Sequence, residues 1–199
     1  GLENLAVIAG GLSVGIGFGM QTIVNNFLSG LILIFSRTLH EGDVIDVGNL
    51  QGVVRKISVR ATTVETFDNA IIFVPNSEFV SNRLINWTRN GRIVRREVAI
   101  GVAYGTDPKL VERLLVEVAQ SVPQIVRRPQ PFVLFMDFAD STLNFVLRYW
   151  SDIGTATDAA SAIRHRIVEV FAEHQVEIAF PQLDVHVIPQ TPSLTRAEG

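Results

Sequence analysis

The chain has 199 residues, enough for one membrane element and two small soluble domains. Its formal net charge of −3 argues against nucleic acid as a partner, and the absence of cysteine excludes a disulfide framework or a thiolate metal site. Hydrophobic residues make up 47%, near the globular average, and the positive mean hydropathy arises largely in the first 36 residues.

From Asn4 to Ser36 no side chain is charged, a run of about 33 residues. A helix needs roughly 20 apolar residues to span a bilayer. The chain starts Gly1-Leu2-Glu3 without a basic leader, so this run does not read as a signal peptide. It reads as a piece of a longer polypeptide with further membrane helices upstream. As one straight helix it would be roughly 50 Å long against a hydrocarbon core of about 30 Å. The pattern predicts a bend near Gln21-Thr22, dividing the run into two helices.

Before the bend, Gly11, Gly15 and Gly19 recur every four residues. Such a small-residue stripe lets helix backbones approach closely in lipid. Ser13 and Gly17 form a second small stripe, with Gly10 also in this half. Val7, Val14 and Phe18 share a further face at near-heptad spacing. In a ring of helices that face could point at the axis, where apolar side chains block ions by dewetting. The alternative is a single tilted anchor whose glycines merely pack on neighbours. After the bend, Thr22, Asn25, Asn26 and Ser29 make a polar stripe opposite Ile23, Phe27 and Leu31. That suits a helix lying at the interface or against soluble protein. Arg37 follows as a cytoplasmic membrane flank.

Residues 43–104 read as β. Lys56–Thr63 alternates Ile57, Val59 and Ala61 against Lys56, Ser58, Arg60 and Thr62, which indicates half-buried strands. Gly48-Asn49, Asp68-Asn69 and Asn90-Gly91 signal turns, and Pro75-Asn76-Ser77 caps a short helical turn. About five strands suggest a small barrel-like domain. Residues 95–180 run strand, helix, strand, strand, helix, strand, the order of a ferredoxin-like domain. Asp107-Pro108 starts its first helix, where Leu110, Leu114 and Val118 share a face before Pro123. Strands follow at Phe132–Phe138 and Leu143–Trp150. Ile163, Ile167 and Phe171 line the second helix, and Val176–Phe180 is the last strand. Asp184–Ile188 is one more short strand without a partner in the domain. The fold class is thus a membrane α-helix, a small all-β domain and an α+β domain. The boundaries fall at 1–38, 39–94 and 95–181, with a strand in 182–190 and a disordered tail at 191–199.

The residues hold little catalytic chemistry. His40, His165, His174 and His186 share no metal-ligand spacing, and Gly15-x-Gly17-x-Gly19 follows no strand and lacks a lysine. Asp43 and Asp46 look like turn and solvent residues. No cofactor and no enzymatic activity are expected. Arg95-Arg96 and Arg127-Arg128 read as solvated faces.

Four motifs in order carry a resemblance. Gly17-Phe-Gly-Met-Gln-Thr-Ile-Val-Asn-Asn-Phe-Leu-Ser-Gly30, Glu41-Gly-Asp43, Val74-Pro-Asn-Ser77 and Phe180-Pro-Gln-Leu-Asp-Val185 are similar to the small-conductance mechanosensitive channel (MscS-like) family. The Met-Gln-Thr-Ile-Val-Asn-Asn run most resembles its potassium-dependent, MscK-like branch. The resemblance implies a homoheptamer with a kinked pore helix above a cytoplasmic vestibule. The full-length protein would be multi-pass in the bacterial inner membrane, with residues after about 38 in the cytoplasm. It would release ions and small osmolytes on hypo-osmotic stress, its partners being copies of itself and membrane lipid. The family's hydrophobic seal falls on Val14 and Phe18. Its packing ridge falls on Gly11 and Gly15 against Gly10, Ser13 and Gly17, and its lower hinge glycine on Gly30. The strand Asp184–Ile188 would join six copies of itself in a barrel. Thr22 stands where the family has Gly or Asp, Arg37-Thr38 where it has Arg-Pro, and Phe18 where it has Leu. The rival class is a membrane-anchored oligomeric scaffold or sensor without a conducting pore.

Overall fold

The computed structural model describes residues 1–183, which form two compact units. The first comprises Gly1–Val94 with Asp152–Gly154, and the second Arg95–Ser151 with the residues from Thr155 onward.

The first unit begins with α1, Leu2–Ser36, ending where Arg37 turns left-handed at φ 51°. The helix passes through Gln21 and Thr22 without a break, so the expected division into two helices is not seen. No proline interrupts the run, and the backbone stays helical from Leu2 to Ser36. By length and composition α1 can cross a membrane.

Five strands follow: β1 (Val44–Val47), β2 (Leu50–Ile57), β3 (Ala61–Thr66), β4 (Ile71–Pro75) and β5 (Leu84–Asn86). Their order is β4-β3-β2-β1-β5, with every pairing antiparallel. Gly48, at φ +60°, and Asn49 make the two-residue β1–β2 turn, and Asn69 at φ 64° closes the β3–β4 turn. A short helix, α2 (Asn76–Ser81), lies between β4 and β5. Ile45, Val54, Val64, Val74, Phe79 and Leu39 form the core, and α1 contributes Leu33.

The alternation runs through two strands and the turn between them. Lys56–Thr63 is not one strand, because Ser58–Arg60 turns the chain between β2 and β3, with Ser58 N–H bonded to Ala61 O at 3.1 Å. Val59 at the turn is 49% exposed, whereas Thr62 is fully buried. Thr62 can be buried because its hydroxyl donates to Asn76 Oδ1 at 2.9 Å.

The remaining elements, mostly in the second unit, are β6 (Ile93–Val102), α3 (Pro108–Ser121), β7 (Phe132–Phe138), β8 (Leu143–Asp152) and α4 (Ala156–Glu173), with a 3₁₀ turn at Ile153–Thr155. Their sheet order is β6-β8-β7. Asp107 caps α3 by accepting from the Lys109 N–H at 3.0 Å, and Pro108 occupies the first turn. Leu114, Val118, Ile163, Ile167 and Phe171 are buried against Phe145, Leu147 and Tyr149 of β8. Val176–Phe180 is not a full strand. It touches the end of β6 through one bridge, Ile178 to Val102, bonded Ala103 N–H to Glu177 O at 3.0 Å and Ala179 N–H to Gly101 O at 3.1 Å. Pro181 lacks the N–H to continue this pairing. The bridge still lays this segment beside β6, as the ferredoxin-like order requires. The expected strand Asp184–Ile188 and the tail lie outside the described residues.

Candidate functional site

The candidate site is α1, whose two halves stand in opposite environments. The second half is seated on the β domain. Its buried residues are Ser29, Gly30 and Leu33, one face at helical spacing, and it rests on α2 and β2.

Two interactions set this seat. Asn26 Oδ1 accepts the Ser77 N–H at 3.0 Å, at the start of α2. Such an N–H has no partner within its own helix, so a side-chain oxygen brought to it satisfies an orphan donor. Gly30 provides the second. A Cβ built there would stand 2.2 Å from Val59 O and 2.5 Å from Asn76 Nδ2. Glycine is required because the helix backbone lies directly on the β2–β3 turn. Asn76 braces that turn from within: fully buried, it donates from Nδ2 to Ser58 O at 2.8 Å while accepting from Thr62.

The polar stripe therefore divides. Asn26 and Ser29 face the β domain, whereas Asn25 stays exposed. Thr22, Ile23 and Asn26 border a cavity of about 540 Å³ against Arg60, Phe73 and Pro75. Ser58 and Asn76 are not among the residues to which the sequence assigns a site role. Asparagine directly after a proline reads as a turn residue, and nothing local signals its burial.

Among the described residues, the first half of α1 has no buried position. Val7 and Phe18 are each 75% exposed, and Val14 is 58% exposed. A Cβ on Gly10, Gly11, Gly15, Gly17 or Gly19 would meet no atom within 4 Å. Ser13 Oγ donates back to Ala9 O at 2.7 Å, removing its polarity from the surface. Gln21 is exposed between the halves. The described residues thus leave the expected seal and ridge uncovered. An apolar helix of this length without cover is unstable in water, so lipid or other helices must surround it.

Below α1, Asp43 is more than a turn residue. Its carboxylate accepts from His40 N–H at 2.9 Å, Asn86 Nδ2 at 2.6 Å and Thr88 Oγ1 at 3.4 Å, tying the α1–β1 joint to the end of β5. His174 Nδ1 donates to Val170 O at 2.9 Å, capping α4. Among the described residues no cluster of three or more histidine or acidic side chains could hold a metal ion.

Comparison with known proteins meets the same two units. The family model described as "Mechanosensitive ion channel, beta-domain" matches residues 22–89, and "Mechanosensitive ion channel MscS, C-terminal" matches 97–178. The chain is 45% identical over 177 residues to an uncharacterized MscS family protein of Haemophilus influenzae, covering 88% of this chain and 16% of that one. It is 39% identical over 186 residues to the mechanosensitive channel MscK of Escherichia coli, covering 93% and 17%. It therefore spans about a sixth of the length of these curated relatives. The crystal structure of Helicobacter pylori MscS in its closed state superposes with a TM-score of 0.86 at 26% identity, covering 94% of this chain and 74% of that one. Arabidopsis thaliana MSL1 shares the fold, with a TM-score of 0.73 at 19% identity over 90% of this chain and 66% of that one. With both soluble units and the apolar helix ahead of them matched in order, the chain belongs to the MscS-like family of mechanosensitive channels.

Proposed function

We propose that this chain supplies the pore helix and cytoplasmic domains of a tension-gated ion channel that releases ions and small osmolytes under hypo-osmotic stress. It assembles as a homoheptamer in the bacterial inner membrane, with residues after about 38 in the cytoplasm and further membrane helices on the full-length protein. The observation that carries the reading is the contrast within α1: its second half is fixed on the β domain by Asn26 and Gly30, while its first half is apolar, glycine-striped and uncovered. Copies of the helix cover that half by packing Gly11 and Gly15 against Gly10, Ser13 and Gly17. Val14 and Phe18 then ring the axis as the seal. Gln21, Thr22 and Gly30 are the points at which the helix axis bends between states. Asn25 faces the membrane interface, and Arg37 marks its cytoplasmic flank.

Gating is a population shift. Tension favours the state of larger in-plane area, and only such a differential interaction moves the equilibrium. Widening the Val14/Phe18 ring lets it wet and conduct. The test is patch recording of the full-length protein under suction. Pressure-evoked conductance supports the reading; its absence, with the protein present in the membrane, rejects it. Phe18→Ser is expected to hydrate the ring and lower the opening threshold. An unchanged threshold removes Phe18 from the seal.

A further inference from the structure

The joint between α1 and β1 contains one histidine, His40, and its hydrogen bond has a defined direction. Arg89 Nη1 lies 2.8 Å from His40 Nδ1. A guanidinium has only donors, so Arg89 donates and Nδ1 must present a bare lone pair. The imidazole is therefore neutral, with its proton on Nε2. Its second neighbour is Asp43, whose Oδ2 stands 3.9 Å from the same Nδ1. The His40 side chain is 46% exposed, open to protons from solution.

We propose that His40 is a proton-operated tie between the α1–β1 joint and the segment after β5. Neutral, it holds Arg89. A proton from solution on Nδ1 removes the lone pair, replaces the bond with repulsion between two cations, and turns the ring toward Asp43. The charged groups that face it are Arg89, from the segment after β5, and Asp43, from the turn before β1. Along its own segment the nearest charges are Arg37 and Glu41. Histidine is the side chain whose unperturbed charge changes between pH 5 and 8. Asp43 already accepts from Asn86 and Thr88, so a protonated His40 competes for the oxygens that anchor the end of β5. Acid thus loosens the segment Trp87–Gly91 twice, through Arg89 and through Asp43.

Hydrogen exchange reads this directly, without tension or conductance. The Gly91 N–H is bonded to Thr88 O at 3.1 Å and the Thr88 N–H to Asn86 Oδ1 at 3.1 Å, so both amides report on the segment. In the full-length protein in detergent, exchange is compared at about pH 7.5 and 5.5 after correction for its intrinsic pH dependence. Loss of one partly exposed hydrogen bond predicts about a threefold fall in protection of 87–91 at the lower pH. His40→Asn places a non-titrating oxygen near the Nδ1 position, so this fall should disappear. Arg89→Ala should exchange fast at both pH values, with β3 unchanged. A fall in His40→Asn equal to the native one overturns the proposal, as does native protection in Arg89→Ala at the higher pH.

Discussion

Gly30→Ala separates a packing glycine from a hinge glycine. In an exposed helix this change stabilises by roughly 1 kcal/mol. Here the added methyl would sit 2.2 Å from Val59 O, where ordinary contact begins at 3.4 Å. The helix and the β2–β3 turn must separate by more than about 1 Å, and packed interiors do not absorb such a shift freely. Overpacking of this kind costs about 1–3 kcal/mol. The same methyl is 2.5 Å from Asn76 Nδ2, which cannot retreat without leaving Ser58 O. An orphaned buried group adds about 1–3 kcal/mol. After the helix gain is subtracted, the expected loss is about 3 kcal/mol. For a chain of this size that lowers the thermal midpoint by about 6–12 °C. The assay is thermal unfolding of the full protein in detergent, followed by circular dichroism. If Gly30 served only to let the helix bend, alanine would leave the midpoint unchanged or raise it. Either result refutes the close approach of α1 to Val59.

Other changes probe neighbouring links. Asn76→Leu removes both bonds of a fully buried amide, orphaning Ser58 O and Thr62 Oγ1, and is expected to destabilise by about 2–5 kcal/mol in thermal unfolding. Asn26→Ala frees the Ser77 N–H and should cost about 1 kcal/mol while speeding exchange of that amide; unchanged exchange would show the bond is not formed. Tyr149→Phe should be neutral or stabilising by denaturant midpoint, because its fully buried hydroxyl meets no hydrogen-bond partner among the described residues. In acid, the Arg92 guanidinium and then the Gly154 N–H hold the Asp152 carboxyl below its usual range. A depressed carboxylate contributes stability that is present above about pH 4 and lost as pH falls through its folded value. Asp152→Asn should therefore be less stable than the native protein near neutrality and converge with it as pH falls through the lowered folded value.

Much of the fold was legible because short-range rules acted alone. Asp107-Pro108 starts α3, Gly48-Asn49 turns a hairpin, and Ile163, Ile167 and Phe171 line the buried face of α4. Legibility failed where a distant partner decided. The turn at Ser58–Arg60 contains no glycine, proline or asparagine, and its alternation mimics a strand. What holds it is Asn76, 18 residues further on, bonded to Ser58 O. Thr62 is buried for the same reason, against the sense of the pattern. Asp43 looked like a solvent residue because its main partners, Asn86 and Thr88, lie more than forty residues away. Asn26 could be placed on a polar stripe, but not on Ser77, 51 residues away.

The glycines of α1 show how one residue type carries two kinds of information. Gly11, Gly15 and Gly30 each remove a side chain from a helix interior, at roughly 1 kcal/mol against alanine. For Gly30 the compensation is internal and visible: the backbone of Val59 occupies the space a methyl would need. For Gly11 and Gly15 the same construction meets no atom of the described residues within 4 Å. Among the described residues their cost has no return, and close helix approach in lipid is the return such a stripe offers. Alanine substitutions should therefore part company. At Gly30 the damage is to the folding of a single chain, whereas at Gly11 and Gly15 it falls on assembly and opening, with the soluble units intact. Recording conductance and measuring oligomer mass for Gly15→Ala beside the thermal midpoint of Gly30→Ala puts both halves of the argument at risk. A Gly15→Ala protein with native assembly and native opening threshold would leave the upper stripe without a reason.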